Sequence, residues 1–197
     1  VTNENSNCAV KMDSRTFVNR TGLIALYTFD GNQTHDFSGN RNYGTAINGA
    51  NVTRNGYVGD GYMFDGVDDF MSTSLNLSNL NKNFSISVWA YRHNISNHDT
   101  IYGTGLTAGS QNQMLVRFTD DSENLGFFAN GSGGGATIAT GLREKVWWNI
   151  IVSFNRSDDN KVFAESYING VLNGSGQPSA TWSTGNGVFR LGVFSSS

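Results

Sequence analysis

The chain has 197 residues and a mass of 21.4 kDa, which is enough for one large β-sandwich or barrel but short for two average domains with separate cores. Only 15% of its residues are charged, and the formal net charge is −3 with no basic run, which argues against a nucleic-acid-binding surface and a polybasic membrane anchor. No apolar stretch approaches the roughly 18 residues of a membrane helix, so no membrane span is predicted.

The first 21 residues differ from the rest of the chain. They show no strong hydrophobic period and are predicted to form an extended N-terminal arm, with the folded domain over residues 22–197. The sequence starts at Val1 with a polar segment, so we expect that a secretory leader has been removed. Cys8 is the only cysteine; it is interpreted as an unpaired thiol or, alternatively, as an intermolecular bridge.

From residue 23 onward, short apolar runs alternate with Gly-, Asn- and Ser-rich breakers, and no apolar pattern persists at the helical period. This pattern predicts an all-β, two-sheet antiparallel sandwich. The predicted strands, in chain order, are Leu23–Phe29, Tyr62–Phe64, Phe70–Thr73, Phe84–Tyr91, Thr100–Gly103, Gln113–Phe118, Leu125–Ala129, Thr137–Ala139, Trp147–Phe154, Val162–Ile168 and Val188–Val193.

Two of these strands also predict the core, because alternate side chains of a strand share a face. Asn169-Gly170, which follows Val162–Ile168, is a strong signal for a tight hairpin turn. The side chains predicted to point toward the core are Phe84, Ile86, Val88 and Ala90 in one strand and Trp148, Ile150, Val152 and Phe154 in the other.

Seven short motifs span most of the chain: Gly22–Asp30, Asp36–Asn40, Gly61–Phe70, Phe84–Ala90, Trp147 with Ile150, Val152 and Phe154, then Tyr167–Gly170 and Arg190–Gly192. In this order they resemble the concanavalin A-like lectin/glucanase superfamily, in its laminin-G-like branch. The resemblance implies a jelly-roll sandwich of two curved antiparallel sheets. It also implies a role as an extracellular binding or adhesion module, often for carbohydrate.

The chain departs from the family pattern after Arg190–Gly192. Family members continue into a last strand that pairs beside the first strand, whereas this sequence stops at Ser197. A missing strand would leave an edge of Leu23–Phe29 unpaired, and natural β proteins protect such edges. We expect the arm to fill this edge in its own subunit or in a neighbour's, with truncation of the chain as the alternative explanation.

Because the superfamily includes glucanases, catalysis has to be considered. A retaining glycosidase needs two carboxyl groups about 5 Å apart, which the family arranges as Glu-x-Asp-x-x-Glu. The four glutamates, at positions 4, 123, 144 and 165, are not so spaced. His35, His93 and His98 lie in predicted loops without a nucleophile–base pattern. The sequence therefore predicts a non-catalytic protein.

Two predicted loops carry clusters of the oxygen ligands that Ca²⁺ prefers. The resemblance implies a structural Ca²⁺ near the end of the first strand, which implicates Asp30. The alternative for the first loop is an Asx turn, in which Asp36 caps backbone amides, and a turn without metal is equally the alternative for Asp68 and Asp69. We predict one structural Ca²⁺ held by the first loop, with the second loop contributing, and the candidate ligands are Asp30, Asp36 and Asn40 in the first loop and Asp65, Asp68 and Asp69 in the second.

Aromatic residues on one strand face predict a sugar site. Flat apolar rings can contact the C–H faces of a sugar, while nearby amides bind its hydroxyl groups. The alternative is that these rings pack under a neighbouring loop or against another subunit. The candidate ligand-binding residues are Trp89, Tyr91, Trp147, Asn149 and, at a predicted loop tip, Trp182.

Asn-x-Ser/Thr triplets are roughly twice as frequent as this composition would produce by chance, and each lies in or beside a predicted loop. We therefore expect an exported glycoprotein, outside the cell or on its surface. The alternative is that a sequence this rich in Asn and Ser forms such triplets in its loops without being glycosylated. The predicted glycosylation sites are Asn19, Asn32, Asn51, Asn76, Asn83, Asn94, Asn130, Asn155 and Asn173.

Two functions are compatible with these features. The first is a glycosylated, non-catalytic binding or adhesion module that recognises a carbohydrate or glycoprotein ligand. The alternative is a structural subunit of a surface filament or other assembly, in which the arm completes a neighbour's sheet and the subunits form a homo-polymer.

Overall fold

The structure, a computed structural model, describes residues 21–31, 34–77, 80, 83–95, 99–104, 114–119, 121–129, 134–182 and 187–192. These residues contain thirteen strands and no helix, which confirms the all-β prediction. No helix in this part of the chain is therefore long and apolar enough to cross a bilayer. The strands are β1 Gly44–Ile47, β2 Asn51–Thr53, β3 Gly61–Met63, β4 Phe70–Asn76, β5 Asn83–Tyr91, β6 Thr100–Thr104, β7 Met114–Phe118, β8 Leu125–Ala129, β9 Ala136–Ala139, β10 Trp147–Arg156, β11 Val162–Ile168, β12 Val171–Gly176 and β13 Val188–Gly192.

The strands form two large antiparallel sheets and one small one. The larger sheet has the order β1-β4-β13-β6-β7-β8-β9, and the four-stranded sheet has the order β12-β11-β10-β5. Strands β2 and β3 pair separately. One hydrophobic cluster draws buried residues from both large sheets, including Val116 and Phe127 on one side and Val152 on the other, so the core lies between the sheets as in a sandwich.

The predicted core faces of β5 and β10 are confirmed. Ile150 and Val152 are fully buried, and Phe154 is nearly so. The apolar face of β5 packs against the same cluster but remains partly exposed along its length. Because β5 is the last strand of its sheet among the described residues, it is covered by a strand neighbour on one side only.

The tight turn at Asn169-Gly170 is also present. Both residues have positive φ, 51° and 82°, as expected for a two-residue hairpin turn whose twist matches the flanking strands. The turn joins β11 to β12. The predicted strand list did not include β1, β2 or β12.

The Leu23–Phe29 segment is not a strand in the structure. Its backbone is bonded instead to the loop that follows: Asp36 Oδ1 accepts from Leu26 N at 2.9 Å, and the Asn42 side-chain amide donates to Ile24 O at 2.8 Å. The Asn40 amide donates to Leu23 O at 2.8 Å. These side-chain hydrogen bonds replace part of the backbone hydrogen bonding that a neighbouring strand would provide. The arm that was expected to cover this edge, residues 1–20, lies outside the described residues.

Candidate functional site

Three of the predicted sugar-site aromatics lie together on the outer face of the four-stranded sheet. In the β5–β10 register, Trp147 is opposite Tyr91 and Asn149 is opposite Trp89. Since residues paired across antiparallel strands share a face, these four side chains lie on the side opposite Ile150 and Val152. The rings of Tyr91 and Trp147 are 5.4 Å apart, centroid to centroid.

A fourth ring, which the sequence analysis missed, comes from outside this sheet. Tyr57, in the loop between β2 and β3, stacks on Trp89 with a centroid separation of 3.5 Å and an interplanar angle of 12°. It also meets Trp147 edge to face at 6.5 Å. We call Tyr57, Trp89, Tyr91 and Trp147 the aromatic patch. Trp89 is 40% exposed and Tyr57 is 52% exposed, so the patch presents flat apolar surface to solvent.

Hydrogen bonds anchor the loop that carries Tyr57. Asp60 Oδ2 accepts from Gly31 N at 2.9 Å, and Asp30 Oδ1 accepts in return from Asp60 N at 3.1 Å. Gly59 has a φ of 67°, and a β-carbon there would come within 2.3 Å of Asp30 Oδ1. Asp30, a predicted metal ligand, therefore serves in this structure to fix the loop that places Tyr57 over Trp89.

Polar groups border the aromatic patch. Asn149 lies beside Trp89, and its backbone is tied to the next turn by bonds to and from Asn169. Its side-chain amide makes no hydrogen bond to a described residue. Further along the same face, the Ser85 and Ser153 hydroxyls are 2.8 Å apart. A shallow depression of about 530 Å³ opens there, lined by Asn83, Phe84, Ser85, Ser153, Phe154, Asn155, Phe163 and Glu165.

Trp182 is not on this surface. It is only 3% exposed and belongs to the core cluster. Its ring lies 6.2 Å from that of Phe84, and the Arg156 guanidinium sits 5.5 Å from its centroid. Trp182 is therefore a buried core side chain and is not placed to contact a ligand.

The first predicted metal loop is organised as a turn. The Asp36 carboxylate is buried and accepts from Leu26 N, from both the N–H and the hydroxyl of Ser38, and from Asn42 N, at 2.8 to 2.9 Å. Burial opposes ionisation, but these hydrogen bonds outweigh it and lower the pKa of Asp36. Gly39 has a φ of 95°, so the features of the alternative Asx turn are all present.

The second predicted metal loop brings its carboxylates together. Asp65, Asp68 and Asp69 each place one oxygen within 4.8 Å of the others. Such a group could hold an ion. The structure does not bring Asp30 or Asp36 into this group of carboxylates, and the Asn40 side-chain amide donates instead to Leu23 O at 2.8 Å.

Six of the nine predicted glycosylation sites lie among the described residues. Asn51 and Asn83 are the first residues of β2 and β5, and Asn76 is the last residue of β4. Asn94 is exposed beyond the end of β5. Asn155 and Asn173 are exposed residues within β10 and β12. Asn19, Asn32 and Asn130 lie outside the described residues.

Comparison with known proteins identifies the family. A family model described as the concanavalin A-like lectin/glucanases superfamily, of the laminin-G type, matches residues 64–196. No curated protein sequence matches the chain.

Solved structures show the same fold. Domain 4 of AbnA, an extracellular GH43 arabinanase from Geobacillus stearothermophilus, solved in complex with arabinotriose, is similar with a TM-score of 0.61 and 23% identity over 86% of this chain and 82% of that chain. The receptor-binding domain of botulinum neurotoxin type G is similar with a TM-score of 0.52 and 18% identity over 81% of this chain and 40% of that one. A protein of unknown function from Shewanella oneidensis MR-1 aligns with a TM-score of 0.50 and 12% identity over 78% and 68%.

Proposed function

The chain belongs to the concanavalin A-like lectin/glucanases superfamily, and we propose that it is a non-catalytic carbohydrate-binding module that uses the aromatic patch as its sugar contact. The observation that carries this proposal is the stack of Tyr57 on Trp89 at 3.5 Å, with both rings still exposed. Stacked aromatic surface at a protein exterior is costly to leave in water. The C–H face of a sugar ring is a ligand that would cover it.

The chemistry of the patch favours a neutral sugar. None of the aromatic patch residues carries a charge, and neither does the adjacent Asn149. Asn149 supplies an amide that can both donate to and accept from sugar hydroxyls. An acidic sugar would instead require a cationic partner.

A structural relative indicates which ligands to test first. The arabinanase domain from G. stearothermophilus belongs to an extracellular enzyme and was solved with arabinotriose. At 23% identity this likeness concerns the fold alone, so it suggests a panel of ligands rather than one sugar. Neutral oligosaccharides, arabinotriose included, are the appropriate first panel.

The proposal of a non-catalytic role is supported by the environment of Glu144. A hydrogen bond from Lys145 is the main influence that lowers the pKa of Glu144, with Ile95 N and the Arg92 charge acting in the same direction. A glycosidase acid needs the opposite shift, toward a raised pKa. Export and N-glycosylation belong to the same proposal, because the described Asn-x-Ser/Thr asparagines lie at strand ends or on exposed strand faces.

A second candidate function is suggested by the edge strand β5. It is nine residues long and has β10 as its only strand partner among the described residues. Its core-facing side chains Phe84, Ile86 and Val88 are less buried than Ile150 and Val152 of β10. Long unpaired edges are sites where another chain can add a strand. An assembly completed by strand exchange through residues 1–18 would use such an edge.

The sugar proposal is tested by calorimetric titration of the panel into the full chain, with Tyr57→Ala and Trp89→Ala as variants. Since an aromatic contact contributes about 1 kcal/mol, we expect each substitution to weaken binding by roughly five- to tenfold. Phe163→Ala is the matched control. Phe163 is as exposed as Trp89, but it lines the depression farther along the same sheet face. Binding lost in the control but kept in both patch variants would contradict the proposed site.

The assembly candidate predicts a different result. Deleting residues 1–18 should convert a polymer into monomers on a sizing column, without changing sugar binding. A deletion variant that assembles as the full chain does would exclude exchange through the arm.

A further inference from the structure

Two turns meet at the end of the β1–β4 strand pair. In this pair Ile47 is opposite Phe70, so the residues that follow β1 face the residues that precede β4. Asn48 and Gly49 form the first turn, with φ values of 59° and 127°. The Asn48 amide donates to Asp68 O at 3.2 Å and to Asp68 Oδ2 at 3.0 Å. Hydrogen bonds therefore connect Asp68 to a second chain segment.

The turn that precedes β4 is wound around the Asp65 carboxylate. Asp65 Oδ1 accepts from the backbone N–H groups of Val67, Asp68 and Asp69 at 2.8, 3.3 and 3.4 Å. The Val67 N–H is the main cause of the lowered pKa of Asp65. Asp65 Oδ2 takes no part in these bonds.

Asp69 provides an observation independent of the clustering. It is only 5% exposed, and its Oδ2 accepts from Asp65 N at 3.1 Å. Its Oδ1 is buried and has no hydrogen-bond partner among the described residues. A buried carboxylate oxygen without a donor or a counterion is strongly destabilising. Native structures seldom leave such an atom unpaired, and a bound cation is a partner that would satisfy it.

Space beside this oxygen is kept free by a glycine. A β-carbon at Gly49 would lie 3.0 Å from Asp69 Oδ1. The positive φ of Gly49 keeps the turn in a conformation that favours residues without a β-carbon. The buried oxygen therefore lies beside the Asn48–Gly49 turn, and it belongs to a carboxylate that is grouped with those of Asp65 and Asp68.

We propose that Asp65, Asp68 and Asp69 bind one hard divalent cation of the calcium class. Each of the three carboxylates contributes an oxygen to a group whose members lie within 4.8 Å of one another. Ca²⁺ accepts six to eight oxygen ligands in flexible geometry, including water. Water can complete the shell because Asp65 and Asp68 are exposed. Mg²⁺ demands a more regular octahedron than a set of carboxylates from one short turn readily provides.

This site shares no residue with the aromatic patch, and the role of its ion is to stabilise the fold. The ion neutralises the three adjacent carboxylates and joins the Asn48–Gly49 turn to the start of β4. Binding to the folded state alone raises the melting temperature by mass action.

The test uses the full chain freed of divalent ions, with Ca²⁺ titrated by calorimetry and the melting temperature measured with Ca²⁺ or with chelator. We expect the wild type to bind Ca²⁺ and to melt higher in its presence. Asp68→Asn and Asp69→Asn should each weaken Ca²⁺ binding by at least about tenfold, since affinity follows the number of charged ligands. Glu123→Gln, which removes an exposed carboxylate elsewhere, should bind as the wild type does.

Melting temperatures measured with chelator provide a second readout. Without an ion, Asp69→Asn removes the unpaired buried charge, so it should melt no lower than the wild type, whereas in Ca²⁺ it should melt lower. The site would be overturned if Ca²⁺ did not change the melting temperature of the wild type. It would also be overturned if Ca²⁺ raised the melting temperature of the carboxylate variants as much as that of the wild type. An equal response to Mg²⁺ would overturn its assignment to calcium. Neither measurement involves a sugar, so this result and the sugar-binding result are independent.

Discussion

Arg92 Nε donates a hydrogen bond of 2.9 Å to Asp99 Oδ2, and the Arg92 side chain is completely shielded from solvent. The other guanidinium nitrogens donate to the carbonyls of Ser122 at 2.8 Å and Ile95 at 2.9 Å. The guanidinium also lies 5.2 Å from the Phe118 ring centroid. One buried cation thus connects the loop after β5 to the β7–β8 turn.

Removing this cation should be costly. Arg92→Met removes the guanidinium donor from the Asp99 carboxylate and from the carbonyls of Ser122, Ile95 and Thr119. We therefore expect a loss of about 3–5 kcal/mol in the free energy of unfolding. The matched control is Lys161→Met, which removes an exposed pair with Asp159 and should cost no more than about 1 kcal/mol. Chemical denaturation of both variants measures the difference. Equal losses would show that the buried network contributes little.

A charge at the centre of the sandwich should prevent folding. Val152 is fully buried in β10, so Val152→Asp places an unpaired carboxylate in the core, and desolvation opposes the folded state. Far-ultraviolet circular dichroism and a thermal melt measure the outcome. Ser153→Asp, one residue along on the opposite face, should fold. A Val152→Asp protein that melts like the wild type would contradict the assigned core face.

Asp36 should make stability depend on acid pH. Its pKa in the folded protein lies below the usual 3.8, so its contribution is complete above that value and is lost as pH falls through the folded pKa. Asp36→Asn places an NH₂ group among N–H and O–H donors, which should destabilise the protein at neutral pH. We expect the stability gap between wild type and variant, measured by denaturant unfolding, to shrink as pH falls from about 6 to about 2. A gap that does not change with pH would exclude ionised Asp36 as its cause.

Glycans should occupy several of the predicted asparagines, and the structure adds a constraint on two of them. Asn83 and Asn155 are cross-strand partners, with β-carbons about 5 Å apart, so two glycans would crowd each other. Mass spectrometry of protein from its native host should show masses above 21.4 kDa. In Asn155→Gln, occupancy at Asn83 should rise, whereas Asn94→Gln should not change it. A native mass equal to that of the bare polypeptide would contradict glycosylation.

The sequence alone was sufficient for the all-β sandwich and for which faces of β5 and β10 enter the core. The alternation of apolar and polar residues is a local property, and a strand's side-chain geometry converts it directly into two faces. Trp89, Tyr91, Trp147 and Asn149 were predicted to share a surface for the same reason. The hairpin turn at Asn169-Gly170 was also predicted by the sequence, because its geometry depends on those two residues.

Contacts between distant segments were decided only by the tertiary structure. Tyr57 covers Trp89 because the Asp30–Asp60 hydrogen bonds fix a loop from outside the sheet. Local patterns give no information about such a pairing. Trp182 is buried because the sandwich closes over it, which the polar sequence around it does not indicate.

Contacts between distant segments also decided the structure of the Leu23–Phe29 segment and of the Asp65–Asp69 turn. An apolar run predicts a strand, but a strand also needs a partner, and here side chains of residues 36–42 take part of the backbone hydrogen bonding. Asp65, Asp68 and Asp69 are close in sequence, yet only the β1–β4 register brings Gly49 beside Asp69, where one buried carboxylate oxygen has no hydrogen-bond partner among the described residues. Sequence supplied the chemical groups, and long-range packing decided which of them meet.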